Sequence, residues 1–147
     1  MLFRSITNAT ITNSRLANNT IDTGKIANYA VTNTVAVSTT GDTSAIGTTE
    51  TTIQTLSFTS TGGQLVIWTS ASPKVNTDYN TFACRLYRDS TLVAKGLVTA
   101  QGAMANLVWL DTPSAGTYSY TLRLVRVAGG STSVWTDRTI VITELKK

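Results

Sequence analysis

Six apolar residues near the N-terminus, Ile6, Ile11, Leu16, Ile21, Ile26 and Val31, stand at a strict spacing of five. Two positions after each comes Asn8, Asn13, Asn18, Thr23, Asn28 or Asn33. Five matches neither the helical period of 3.6 nor the strand period of two. On a helix these side chains would drift round the whole surface, and on a strand they would alternate faces. A chain that turns once per repeat, aiming one apolar residue at a common axis, satisfies the spacing. Asparagine suits such turns because it bonds local backbone and tolerates left-handed conformations. Six repeats are too few to close a solenoid of their own, which needs several stacked rungs. Copies of the chain around one axis would bury the ladder instead. A disordered polar tail shares the composition but does not require the spacing.

From about Thr34 the pattern changes to short strands between turn residues. Thr34–Ser38, Ile53–Thr59, Gln64–Thr69, Phe82–Leu86, Thr91–Thr99, Ala103–Leu110, Tyr118–Leu124 and Thr132–Leu145 read as strands. Gly41-Asp42-Thr43-Ser44, Thr61-Gly62-Gly63, Asp89-Ser90, Thr112-Pro113-Ser114-Ala115-Gly116 and Ala128-Gly129-Gly130-Ser131 read as turns or loops. Ser72-Pro73 to Asn80 reads as a polar loop. Leu65-Val66-Ile67-Trp68 is apolar on both faces, which predicts a central strand or an interface. The 29 threonines agree, because a β-branched side chain suits strands. The expected fold is all-β: a pentad-repeat stem over residues 1–33, then an antiparallel jelly-roll or β-sandwich domain over 34–147.

The charges give little support to other classes. Lys and Arg number 12 against 8 Asp and Glu, a net +4, but the basic residues are scattered and do not form the stripe that phosphate binding needs. No nucleic-acid partner is expected. No apolar run reaches the length of a membrane span, so no membrane partner is expected. Met1-Leu2-Phe3-Arg4-Ser5 turns polar at once and lacks the apolar core of a signal peptide, which predicts synthesis without an export signal.

Catalytic equipment is sparse. The sequence has no histidine, the commonest general base and metal ligand. Its carboxylates are scattered, and Asp78 with Asp89, or Asp137 with Glu144, would converge only through tertiary folding. Cys84, the one cysteine, lies on the apolar alternation of Phe82 and Leu86 and reads as a buried thiol. Gly62-Gly63 and Gly129-Gly130 read as turns, since no helix pattern follows them. No enzyme activity, catalytic residue, metal or cofactor is expected. Trp68, Trp109 and Trp135, with Tyr79 and Tyr87, could make a sugar platform, although core or interface suits Trp68 better. Asp78-Tyr79-Asn80 is the better glycan-binding candidate.

The run Ile-Thr-Asn-Ala-Thr-Ile-Thr-Asn-Ser-Arg-Leu-Ala-Asn-Asn-Thr-Ile-Asp-Thr-Gly-Lys-Ile-Ala-Asn, from Ile6 to Asn28, resembles the repeat of tailed-bacteriophage fibre and head-appendage proteins. Leu110 to Leu122 and Ile140 to Lys146 resemble the C-terminal β domains of the same proteins. The resemblance implies a jelly roll similar to that of tumour necrosis factor, assembly as a homotrimer and a place in the virion beside other virion proteins. It implies a capsid decoration protein or short head fibre, with Ile6, Ile11, Leu16, Ile21, Ile26 and Val31 serving oligomerisation and attachment. The alternative it implies is a receptor-binding tail-fibre tip that recognises host surface polysaccharide.

Overall fold

The computed structural model describes residues 32–74, 79–99 and 102–145. The ladder positions Ile6, Ile11, Leu16, Ile21, Ile26 and Val31 and the loop residue Asp78 lie outside them. Eight strands follow in order: β1 (Thr32–Thr39), β2 (Thr51–Ser60), β3 (Gln64–Pro73), β4 (Thr81–Arg88), β5 (Thr91–Thr99), β6 (Ala105–Asp111), β7 (Gly116–Ala128) and β8 (Trp135–Leu145). The first begins at Thr32, inside the last pentad, where Thr32 and Asn33 pair with Leu145 and Glu144.

Strand pairing defines the architecture. β1 pairs with β8, β2 with β7, β3 with β6 and β4 with β5, all antiparallel. Such nested pairs are what a single long hairpin gives when it is rolled up. Two further pairings, β3 with β8 and β4 with β7, join the rolled halves into sheets ordered β1-β8-β3-β6 and β2-β7-β4-β5. This is the jelly-roll order, so the expected all-β fold is present in the described domain.

Alternation produces the core. On β7, Tyr120, Leu122 and Leu124 point inward and are fully buried. Phe82, Cys84 and Leu86 meet them from β4, and Leu65, Ile67, Ile140 and Ile142 come from the facing sheet. Each fully buried Leu, Ile or Phe contributes about 1.5–3 kcal/mol over an exposed one. Trp135 closes one end and stacks edge-on against Phe82 at 5.4 Å. The β1–β2 connection reaches this core through Ile46, which is buried and forms an isolated bridge with Ser133.

β3 runs on to Pro73, where the sequence suggests a loop. A bulge after Ala71 lets Ser72 and Pro73 pair with Thr136 and Trp135, and a proline is tolerated at a strand end.

The last strand is fixed by a buried charge. Glu144 Oε1 accepts hydrogen bonds from Ser60 Oγ at 2.8 Å, the Thr61 amide at 2.7 Å and the Gly63 amide at 3.0 Å. The carboxylate thus caps the β2–β3 turn. A Cβ at Gly63 would lie 2.5 Å from the Leu145 carbonyl and 2.9 Å from Glu144 Cγ, so the turn can approach this closely only with glycine there.

Burial works to raise the Glu144 pKa, but the bonds from Ser60, Gly63 and Thr61 outweigh it and hold the carboxyl below its ordinary value of 4.5. A depressed carboxylate pKa stabilises the fold above the unfolded value. That contribution is lost as pH falls through the folded value. Glu144→Gln therefore lowers stability at pH 7 by about 1–2 kcal/mol. Urea midpoints of the two proteins converge as pH drops below 4.5. A gap of the same size at pH 7 and pH 3 would contradict this role.

Candidate interaction surfaces

The described carboxylates are largely occupied by the fold itself. Asp111 on β6 receives Arg88 Nη1 from β4 at 2.7 and 2.8 Å, the Tyr120 hydroxyl from β7 at 2.8 Å and the Thr112 amide at 3.0 Å. This cluster ties the two sheets together. Burial, then the hydrogen bond to Asp111, pushes the Tyr120 pKa well above its ordinary value, so the phenol stays a donor. Asp42 meets Lys74, and Asp89 accepts from the Ser119 amide at 2.8 Å. Cys84 is buried, and burial pushes its thiol up to about 12. Among the described residues no three acidic, histidine or cysteine side chains gather as metal ligands would, and no helix is long and apolar enough to cross a membrane.

The structure separates the aromatic residues that the sequence offers as a sugar platform. Trp135 is core, with 1% of its surface exposed. Trp68 is 44% exposed and lies on the outer face of the β1-β8-β3-β6 sheet, which excludes the core and leaves the interface expectation. Trp109 faces inward at the open edge of the sandwich, beside Leu92, Val93 and Lys95 of β5. Tyr87 lies on the outer face of the other sheet. Within the loop candidate, Tyr79 is 79% exposed, but Asn80 is buried. Its Oδ1 accepts from the Ser131 amide at 3.3 Å and packs against Gly129, whose φ of 94° and crowded position exclude a side chain. Asn80 therefore positions the neighbouring loop, and only Tyr79 of the described pair is presented to solvent.

The two outer faces have opposite characters. On the β1-β8-β3-β6 sheet, register aligns Ala36, Val141, Trp68 and Val108 in one row across all four strands. The next row holds Thr34, Thr143, Val66 and Leu110, and the row on the other side holds Ser38, Thr139, Ser70 and Asn106. None of these twelve side chains is charged. Val108 is 64% exposed and Leu110 55%. Cross-strand hydroxyl pairs flank the apolar centre, Thr34 with Thr143 and Ser38 with Thr139, each at 3.0 Å.

The outer face of the β2-β7-β4-β5 sheet is basic. Arg85 Nη1 lies 2.9 Å from Glu50 and Arg123 Nη1 3.6 Å from it. The Arg123 guanidinium also stacks on Tyr87 at 4.3 Å. Lys95 adds a third cation beside a hollow of about 330 Å³ floored by Ala83, Gly96, Leu97 and Val127.

Sequence reading anticipates the apolar Leu65–Trp68 strand but misses the Arg88–Asp111–Tyr120 cluster, the Glu144 cap and the basic face. Val108-Trp109-Leu110, apolar at three successive positions, carries the same signal as Leu65–Trp68, since alternation must turn part of such a run outward. Asp111→Ala strands the partly buried Arg88 cation and costs about 2 kcal/mol, less than the roughly 3–5 kcal/mol for a fully buried pair because Arg88 keeps some solvent. Urea unfolding measures this, and a loss within error of zero would remove the cluster as a tie between the sheets.

No protein-family model matches the sequence, and no curated protein matches it. Solved structures do match the fold. The VP2 subviral particle of infectious bursal disease virus aligns with a TM-score of 0.57 and 11% identity over 78% of this chain and 33% of that one. The Gx strain of the same virus gives 0.55 and 14% over 78% and 32%. Dimeric latent PorU from Porphyromonas gingivalis gives 0.50 and 9% over 78% and 13%. This chain spans about a third of the length of the viral chains. At these identities the likeness shows the fold alone, and a bacterial protein shares it with the viral ones.

Proposed function

We propose that this protein is a structural component of a bacteriophage virion, a trimeric capsid decoration protein or short head fibre without enzymatic activity. Its N-terminal stem docks on the particle and its jelly roll projects. One observation carries the reading: the domain presents an uncharged outer sheet face, apolar at its centre, while its carboxylates are mostly engaged in holding strands together. A surface of this kind serves contact with protein rather than chemistry. The jelly-roll likeness to a virus particle protein supports the same reading, as does the pentad ladder's resemblance to phage appendages. In the trimer the ladder residues Ile6, Ile11, Leu16, Ile21, Ile26 and Val31 face their own copies. Replacing Ile11, Leu16 and Ile21 together by Ser lowers the assembly state in solution and removes the protein from purified particles. A triple variant that stays trimeric and particle-bound would overturn the stem's role.

A second reading, a receptor-binding fibre tip, draws on the exposed Tyr79 and on the hollow beside Arg85 and Lys95. Host surface polysaccharide would be the ligand. The soluble protein should then adsorb to host cells and block infection, and Tyr79→Ala should weaken adsorption severalfold. Failure to adsorb or to block at high concentration would reject it.

A further inference from the structure

We infer that the outer face of the β1-β8-β3-β6 sheet is a contact between copies of this chain, with Trp68 and Val108 at its centre. The inference rests on the self-associating reading above and adds to it a second contact, within the β domain. The face is an unpartnered apolar surface, and its chemistry selects the occupant. In a closed symmetric assembly, residues near the axis stand against their own copies. A charge there would meet the same charge. The rows of Thr34, Ala36 and Ser38 carry no charged side chain from β1 through β6. The opposite outer face fails the same requirement, because Arg85, Lys95 and Arg123 would oppose themselves with only Glu50 between them.

The polar members of the face fit the same occupant. Hydroxyls both donate and accept hydrogen bonds, so a serine–threonine surface is complementary to itself. A partner bearing acidic or basic groups would find no opposite charge among these twelve side chains. Trp68, Val108 and Leu110, all more than two-fifths exposed, supply the apolar centre that such an interface buries.

The test uses the full chain. The native Cys84 is buried and does not compete for reagent. Val108→Cys places a thiol at the centre of the proposed contact. Leu97→Cys, at a position 70% exposed on the opposite face, is the control. A short bismaleimide at low protein concentration should convert most of the Val108→Cys protein to covalently linked chains and leave the Leu97→Cys protein single. A Trp68→Ser/Val108→Ser double variant, checked for fold by circular dichroism, should raise at least tenfold the concentration at which the assembly half-dissociates. Linking that is equal at both sites, or absent at Val108→Cys in a sample with the mass of three chains, would overturn the inference and leave the stem-held trimer standing. A wild-type protein that is monomeric throughout would overturn both. A folded double variant that dissociates no earlier than wild type would also overturn the face contact.

Discussion

The nested pairing of strands is the constraint on which the rest depends. Once β4 and β5 are joined by the Asp89-Ser90 turn, each outer pair closes around the inner one until β1 meets β8. The pairings of β3 with β8 and β4 with β7 then set two four-stranded sheets face to face. Every strand is thereby given one face toward Phe58, Leu86, Leu122 and Ile142 and one toward solvent. The inner faces lock the register, since a one-residue slip would turn the core residues outward. The outer faces inherit whatever the register aligns. The apolar row through Trp68 is a consequence of the core pairing, and so is the hydroxyl pairing that flanks it.

Buried polar groups complete what hydrophobic packing begins. Three side-chain groups tie elements that the backbone ladders leave unjoined. Glu144 closes the β2–β3 turn over β8. Arg88 and Asp111 connect β4 to β6 where no backbone ladder joins the sheets. Gln54, next to a bulge in β2, donates from Nε2 to Thr39 Oγ1 at 2.9 Å and to the Arg138 carbonyl at 3.1 Å, linking β2 to β1 and β8. Of the carboxylates that a catalytic reading of the sequence weighs, Glu144 is thereby bound within the fold. The two outer faces differ in character, one uncharged over the three aligned rows and one basic.

Much of the fold is legible in the sequence, for a local reason. Tyr118 to Leu124 alternates because one face of β7 is core, and Phe82, Cys84 and Leu86 do the same on β4. The turns at Thr61-Gly62-Gly63 and Asp89-Ser90 carry the glycine, aspartate and serine that turns favour. The cross-sheet cluster is not legible, because Asp111 meets Arg88 across 23 positions and Tyr120 across 9, through pairings that local patterns do not encode. Asn80 reads as an exposed loop residue, yet the approach of Gly129 buries it. The apolar Leu65–Trp68 segment reads as a central strand or an interface; β3 does lie between β8 and β6, but the extent of the apolar outer row across four strands emerges only from the register. The pentad ladder is the plainest pattern in the chain and lies outside the described residues.

The central claim, that this is a structural protein of a phage particle, is tested most directly by its copy number in purified virions, measured by quantitative mass spectrometry against the major capsid protein. The account predicts that the protein is present in a multiple of three copies per particle. A number comparable to the capsid protein identifies a decoration protein, and a far smaller one a fibre at a vertex, the neck or the tail. Absence of the protein from intact purified particles would contradict the account.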